Sequence, residues 1–345
     1  MLKGGNGGSI KIGVLGIDHR HIYGMVQGML KTGAVLKSCW FDERSKVTDG
    51  FEKRFPDAKF VERSAELIED SEINLVLIAA KPHLRAELAV RSMNCGKDVL
   101  VDKPGCVNKI QLDTLAQTIN KTGRIWAIDF SERFEVPAAV YALDLVRKGA
   151  IGTVVQVLGL GPHRMNLKTR PDWFFNPDKS GSILVDIGSH QIDQFLAYAG
   201  VVDAKVAYAS TGNYANATSQ DLSDFGEMVL RSGKAHGYIR LDWYTPDGLP
   251  NWGDGRLFLL GTDGFIELRK YVDLAGRAGT DHLFISDKKE TRYVNCQSYP
   301  TPFFSDFVED LLNRTEKAVS QSHTLTVMRI ALEAEKLALE SSLSK

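Results

Sequence analysis

The sequence predicts an α/β protein: an N-terminal Rossmann half built on a doubly wound parallel sheet, then an α+β half with a large, mainly antiparallel open sheet. Three observations carry this expectation. Residues 10–130 alternate short apolar, β-branched runs with amphipathic stretches, the pattern of parallel strands joined by crossover helices. Those runs are continuously apolar rather than alternating, as strands covered on both faces require. After about residue 131 the rhythm changes to strand-like segments joined by tight turn signals. At 345 residues, 43% of them hydrophobic, the chain can bury two cores, and the division falls at 1–130 and 131–345.

In chain order, the first-half strands are expected at IKIGVLG (10–16), AVLKSCWF (34–41), INLVLIAA (73–80), DVLVD (98–102) and IWAIDF (125–130). Helical spacing occupies 83–94 and 108–121 between them. A helix over 136–148 ends at Gly149, and strand-like segments follow at 153–161, 204–212, 224–231, 234–243, 256–260 and 264–269. Arg-Ser-Gly-Lys at 231–234 and Gly-Thr-Asp-Gly at 261–264 turn neighbours back on each other, so these strands read as antiparallel. Leu325, Met328, Leu332 and Leu337 space a final helix over 323–341.

Charge and cysteine content narrow the partners. With 42 basic and 43 acidic residues the formal charge is −1, which points to a small molecule rather than nucleic acid or an anionic membrane. Cys39, Cys95, Cys106 and Cys296 are far apart and form no CxxC pair, so no zinc site and no disulfide framework is expected. The glycine-rich first nine residues lack an apolar signal stretch, and no long uncharged run follows. A soluble cytoplasmic protein is the expectation.

Three motifs could carry chemistry. In GVLGIDHRHIYGM (13–25), Gly16 ends a strand where a dinucleotide turn would read G-x-G-x-x-G, but Asp18 and His21 stand in place of the second and third glycines. Such a turn offers backbone N–H groups and a positive helix end to phosphate. Asp42, 26 residues after Gly16, closes the second strand, where an acid hydrogen-bonds the adenosine ribose and disfavours a 2′-phosphate. A carboxylate ~5 Å from a pyrophosphate charge would cost on the order of 3 kcal/mol at an effective dielectric of about 20. Asp18 therefore either turns away to cap the first helix or faces the cofactor. His19 and His21 form an HxH pair with no carboxylate or cysteine cluster around them in sequence, and no metal is expected.

The second motif, Asp102-Lys103-Pro104, ends the strand DVLVD, where a lysine is aimed at a cleft as a hydrogen-bond donor or proton partner. The third is SGSILVDIGSHQIDQF (180–195). Asp186, His190 and Asp193, spaced four and three apart, share one helix face. A carboxylate beside a histidine fixes its tautomer and raises its basicity. The same stretch also reads as an ordinary amphipathic helix with a capped start.

In this order, the three motifs resemble the Gfo/Idh/MocA family of NAD(P)-dependent oxidoreductases over nearly the whole chain. The family's glycine-rich turn corresponds to Gly16 through His21, its Glu-Lys-Pro signature to Asp102-Lys103-Pro104, and its Asp-x-Gly-x-His-x-x-Asp helix to Asp186, Gly188, His190 and Asp193. RPDWFF (170–175) and SERF (131–134) are similar to further family segments, and AAKPHLR (79–85) departs from its Thr-Pro-x-x-x-His pattern at Ala80 and Arg85.

The resemblance implies hydride transfer between NAD(P), with Asp42 favouring NAD over NADP, and a hydroxyl-bearing carbon of a sugar, inositol or related polyol. Lys103 would bind and polarise the reacting oxygen, His190 act as general acid/base, and Asp186 orient them. Gly16, Asp18, His21, Asp42, Ala80, Pro82 and Lys103 would hold the cofactor. Arg164 and Trp173 would line the substrate with Lys103, Asp186 and His190, and His163 and Asn166 are further candidates. The second sheet would support a homodimer or homotetramer. Two other readings stay open: a hydrolase or epimerase that retains NAD for transient oxidation, and a cofactor-binding regulatory protein without turnover.

Overall fold

A computed structural model of the chain describes residues 9–219 and 221–343; the glycine-rich start, apart from Ser9, lies outside the described residues. The chain forms two compact units, Met1–Asp129 with Pro302–Leu325, and Phe130–Thr301 with Thr326–Lys345. The segment Pro302–Leu325, which a single division at residue 130 gives to the second half, belongs to the first unit.

The first unit runs β1 (Lys11–Ile17), α1 (His21–Lys31), β2 (Val35–Trp40), α2 (Lys46–Arg54), α3 (Ser64–Glu69), β3 (Leu75–Ala79), α4 (Pro82–Asn94), β4 (Asp98–Asp102), α5 (Lys109–Thr122) and β5 (Trp126–Asp129). All strand pairs are parallel, in the order β2-β1-β3-β4-β5. β3, β4 and β5 are buried at every residue, which is why their sequences lack polar alternation. Because the strands are parallel, β1 to β4 end at one edge of the sheet, and the turns that follow them share that edge.

The second unit runs α6 (Ser131–Phe134), α7 (Pro137–Arg147), β6 (Val154–Pro162), α8 (Pro177–Ser180), α9 (Ile183–Ala199), β7 (Lys205–Gly212), β8 (Phe225–Arg231), β9 (His236–Asp242), β10 (Arg256–Gly261), β11 (Phe265–Arg269), β12 (His282–Ser286) and β13 (Thr291–Asn295). The eight strands are ordered β13-β12-β11-β10-β6-β9-β8-β7. Every pair is antiparallel except β6 with β9. One face of this sheet is covered by α9. A Cβ on Gly159 would lie 2.5 Å from Gln191 Oε1, so a glycine in β6 is what lets the helix come this close.

Two helices end the chain, α10 (Phe303–Asn313) and α11 (Gln321–Leu343). α10 packs on α1 through Phe304, whose ring would lie 2.2 Å from a Cβ on Gly28. Gln321 pairs with the edge strand β5, accepting from the Trp126 N–H at 3.0 Å and donating to its carbonyl at 2.8 Å.

Candidate active site

All seven residues expected to hold a cofactor lie at the carboxyl ends of β1 to β4, in the turns beyond them, or, for His21 and Pro82, at the first residue of the helix that follows. Gly16 has φ +79°, and a Cβ there would lie 2.4 Å from the Ala80 Cα, so the β1 turn passes against the β3 turn as only glycine allows. Ala80 is buried and Pro82 is the first residue of α4. No side chain caps α1, which leaves the positive end of that helix to a phosphate. This turn fits a dinucleotide.

Asp18 does not cap the first helix. The N-cap of α1 is Arg20, while the Asp18 carboxyl accepts from the backbone N–H of Lys81, the N-cap of α4. Its own N–H donates to Ala79 O at 3.0 Å. The positive end of α4, rather than that of α1, has drawn the side chain. Burial raises the Asp18 pKa to about 6, against the opposing charges of Lys81 and Arg85. Asp42 follows β2 as expected, but it is shared: the Lys81 ammonium lies 3.4 Å from Asp42 and 2.9 Å from Glu43.

Asp102 is the centre of the unit's polar network and is fully buried. The Nδ1 atoms of His19 and His21 each lie 2.8 Å from one of its oxygens, and Arg85 Nη2 lies 2.9 Å from Oδ2. Burial alone would raise the Asp102 carboxyl, but Arg85, His19 and His21 outweigh it and hold the pKa well below the usual carboxylate range. Burial lowers the pKa of His19 to about 4, with Asp102 opposing. Asp102 and the two imidazoles place three ligand atoms within 4.8 Å, a grouping invisible in the linear HxH. The Arg85 guanidinium sits on the same carboxylate, and a fixed cation at that distance opposes a metal ion there.

Arg85 also fixes the turn that carries Lys103. Its Nε donates to Ala80 O at 2.7 Å, and its Nη1 donates to Asp102 O at 2.9 Å, to Pro104 O at 3.2 Å and to Lys103 O. Lys103 is 6% exposed, directly beyond β4. In sequence Arg85 stands out only as a departure from the family pattern. Its role comes from the guanidinium fork, which spans the ends of β3 and β4.

In the second unit, Asp186 and His190 occupy successive turns of α9. Ser182 caps the helix, and Glu335 of α11 accepts from both the hydroxyl and the N–H of Ser182. His190 is buried with its edge toward Phe130, ring centroids 6.3 Å apart. Near it, Glu132 accepts from Lys270 Nζ at 2.8 Å and from Gln191 Nε2 at 2.8 Å. Burial opposes ionisation of Glu132, but Lys270, His190 and His163 hold its carboxyl well below the usual range. Asp193 takes a two-pronged pair from Arg133 at 2.7 and 2.6 Å, so it ties α9 to α6.

Two expected substrate residues are placed differently. Arg164 Nη2 donates to Pro246 O at 2.8 Å and to Leu249 O at 2.6 Å, so this side chain holds a loop. Trp173 is half-buried in a single turn, Asp172–Phe175, whose Phe174 and Phe175 line a recess beside Asp186 while Trp173 does not. Trp243 lines that recess and packs edge-on against Phe174 at 5.2 Å. His163 lies between Trp243 and Trp252, and Asn166 is an exposed left-handed residue.

Comparison with known proteins agrees with these two units. Residues 37–130 match the oxidoreductase family with an NAD-binding Rossmann fold, and residues 140–267 match the GFO/IDH/MocA C-terminal domain. The crystal structure of an oxidoreductase from Erwinia carotovora atroseptica SCRI1043 is 39% identical, covers 96% of this chain and 99% of its own, and superposes with a TM-score of 0.93. Levoglucosan dehydrogenase in complex with NADH and levoglucosan shares the fold at a TM-score of 0.79 and 18% identity, covering 96% of this chain and 98% of its own. An oxidoreductase of Formosa agariphila is 28% identical over 54% of this chain and 58% of its own length, so the chain spans little more than half of that curated relative. The scyllo-inositol 2-dehydrogenase (NADP(+)) of Bacillus subtilis is 23% identical over 98% of the chain and 95% of its own length. With a dinucleotide-type turn in the first unit, the Asp-Lys-Pro strand end, the Asp186–His190 helix and a full-length match at 39% identity, the chain belongs to the GFO/IDH/MocA family of oxidoreductases.

Proposed function

We propose that the chain is an NAD-preferring dehydrogenase or reductase acting on a CH–OH carbon of a sugar, inositol or related polyol. The observation that carries this reading is Lys103, a buried ammonium held beyond β4 by a turn that Arg85 braces. A bound nicotinamide would supply the hydride acceptor or donor. Gly16, Asp18, His21, Ala80 and Pro82 line the turns that would hold the dinucleotide. Asp42 meets the adenosine ribose, and with Glu43 it makes a 2′-phosphate unwelcome.

Lys103 binds the reacting oxygen and lowers the cost of charge on it. His190 takes or returns the hydroxyl proton, and Asp186 orients the substrate hydroxyl on the same helix face. The inositol and levoglucosan dehydrogenases among the similar proteins support this substrate class.

The assembly proposed is a homodimer or homotetramer through the open face of the second sheet. There the strand register sets Tyr208, Val229, Tyr238, Leu158, Phe258, Glu267, Phe284 and Tyr293 side by side across all eight strands. An aromatic row of this kind suits a self-complementary interface. The four cysteines are all free thiols, which supports a reducing, cytoplasmic setting, and no described helix is long and apolar enough to cross a membrane.

A spectrophotometric screen of neutral sugars, inositols and sugar acids with both cofactors tests the reading. Lys103→Ala is expected to cut kcat/KM on the substrate so found by about a thousandfold or more while NAD still binds in calorimetry. Unchanged turnover would remove Lys103 from the reaction, and no binding of either dinucleotide at millimolar concentration would end the redox reading.

A further inference from the structure

Glu132 is a buried acid of the second unit to which the proposed reaction gives no task. It lies in α6, 5% exposed, two residues after the Phe130 ring that meets His190 edge-on. A carboxylate taken out of water is kept only where its charge and its lone pairs are met. The two oxygens of Glu132 are met very differently.

Every described donor goes to Oε2. Lys270 Nζ and Gln191 Nε2 reach it at 2.8 Å each, and Gln194 Nε2 at 3.4 Å. Gln194 also donates to His190 O at 3.0 Å and accepts from Lys270 Nζ at 2.7 Å, so the carboxylate is tied to α9 at the backbone of His190. Lys270 is itself fully buried and balances the charge. Among the described residues Oε1 has no hydrogen-bond partner, yet it is not shut off from solvent. A purely structural tie between α6 and α9 would need only Oε2 and the Arg133–Asp193 pair. One oxygen is thus held in place and left open.

Its surroundings suit a polyhydroxylated ring. The imidazoles of His190 and His163 and the phenol of Tyr271 lie close enough to Glu132 to interact electrostatically with its carboxyl. His163, Trp252 and Tyr271 form a run of rings, each centroid 4.6 Å from the next. Aromatic faces take the C–H side of such a ring, while a carboxylate takes its O–H groups. Because Lys270 already cancels the charge, the open oxygen favours a neutral donor over a second cation.

We infer that Glu132 Oε1 accepts a hydrogen bond from a hydroxyl of the polyol other than the reacting one, which makes Glu132 a substrate-binding residue that determines specificity. The inference rests on the dehydrogenase reading above. Lys270, Gln191 and Gln194 are positioning residues that aim the carboxylate. An ionised carboxylate cannot donate, so the hydroxyl must, and a hydrogen or fluorine in its place leaves a buried oxygen unmet.

The test compares kcat/KM of the full chain on the best neutral polyol of the screen with that on its mono-deoxy and mono-deoxyfluoro analogues, each altered at one position away from the reacting carbon. At one position both analogues are expected to lose roughly tenfold to a hundredfold. Glu132→Gln combined with Lys270→Met removes both buried charges together, and NAD should still bind this variant in calorimetry. In it the penalty at that position should shrink to less than about threefold, while penalties at the other positions stay as they were. Glu132→Gln alone, which keeps the side chain's size, is the second variant should the pair not fold. The analogue series is also decisive on the parent enzyme: indifference to every single deletion, or a fluoro analogue as good as the hydroxyl compound at the sensitive position, would overturn the inference. The same penalty in parent and variant would overturn it too. Failure of both dinucleotides to bind, or no turnover of any polyol, would instead overturn the reading it rests on.

Discussion

Asp102 shows how one buried carboxylate organises a strand end: it takes two imidazoles and a guanidinium at the end of β4. A buried charge pair broken on one side leaves the other charge uncompensated, so Arg85→Met should cost about 3–5 kcal/mol in urea unfolding, far more than an exposed pair would. Asp18 is the second residue that sequence alone could not place. Its folded pKa of about 6 is above the ordinary carboxylate value, so the stability it contributes is full below about pH 4 and is lost as pH rises through 6. Asp18→Asn should therefore melt higher than the parent protein at neutral pH, by about 1–2 kcal/mol once solvent screening is allowed for, and lose that lead below about pH 4. An equal gap at both pH values would show that the carboxyl is not the source.

At the scale of elements, α9 carries both second-unit catalytic candidates, and its start is fixed from two directions. Ser182 accepts from the Val185 N–H, and Glu335 accepts from Ser182. Ser182→Ala should cost about 1 kcal/mol by thermal unfolding, because the first turn of the helix loses its cap. The helix also packs closely through its own Gly188, where a Cβ would lie 3.0 Å from Met228 Cε. The paired Asp186 and His190 are legible from spacing alone, since an α-helix puts residues four apart on one face whatever lies around it. The elements without a sequence expectation include the short helices α2, α3, α6 and α8, and also α10, β12 and β13. β13 is an edge strand with alternating exposure and little apolar content, and β12 follows a glycine-rich stretch, so neither carries the continuous signal of the parallel strands. The stripe Phe303, Phe307 and Leu311 is present in the sequence, but the helix also packs through Phe304 on α1, which lies more than 270 residues earlier.

For the whole molecule, the proposed cofactor and assembly make separate predictions. NAD at a hundred times its Kd should stabilise the folded chain by about 2.7 kcal/mol, read as a thermal shift that NADP matches only at higher concentration. Light scattering should give at least twice the chain mass, and Phe258→Asp, in the centre of the aromatic row, should reduce it to the monomer while leaving far-UV circular dichroism intact. Periodicity and turn residues, which are local, determined from the sequence alone that there are two halves, a parallel sheet in one and a mainly antiparallel sheet in the other. They also determined that Gly16, Asp42, Lys103, Asp186 and His190 stand at strand ends or on one helix face. Tertiary structure decided the rest: that Asp18 serves α4 instead of α1, that Arg85 and two histidines converge on Asp102, that Arg164 holds a loop, and that Trp243 lines a recess. Each of these depends on which distant backbone supplies a donor, a carbonyl or a ring within a few ångströms, and sequence spacing carries no record of that.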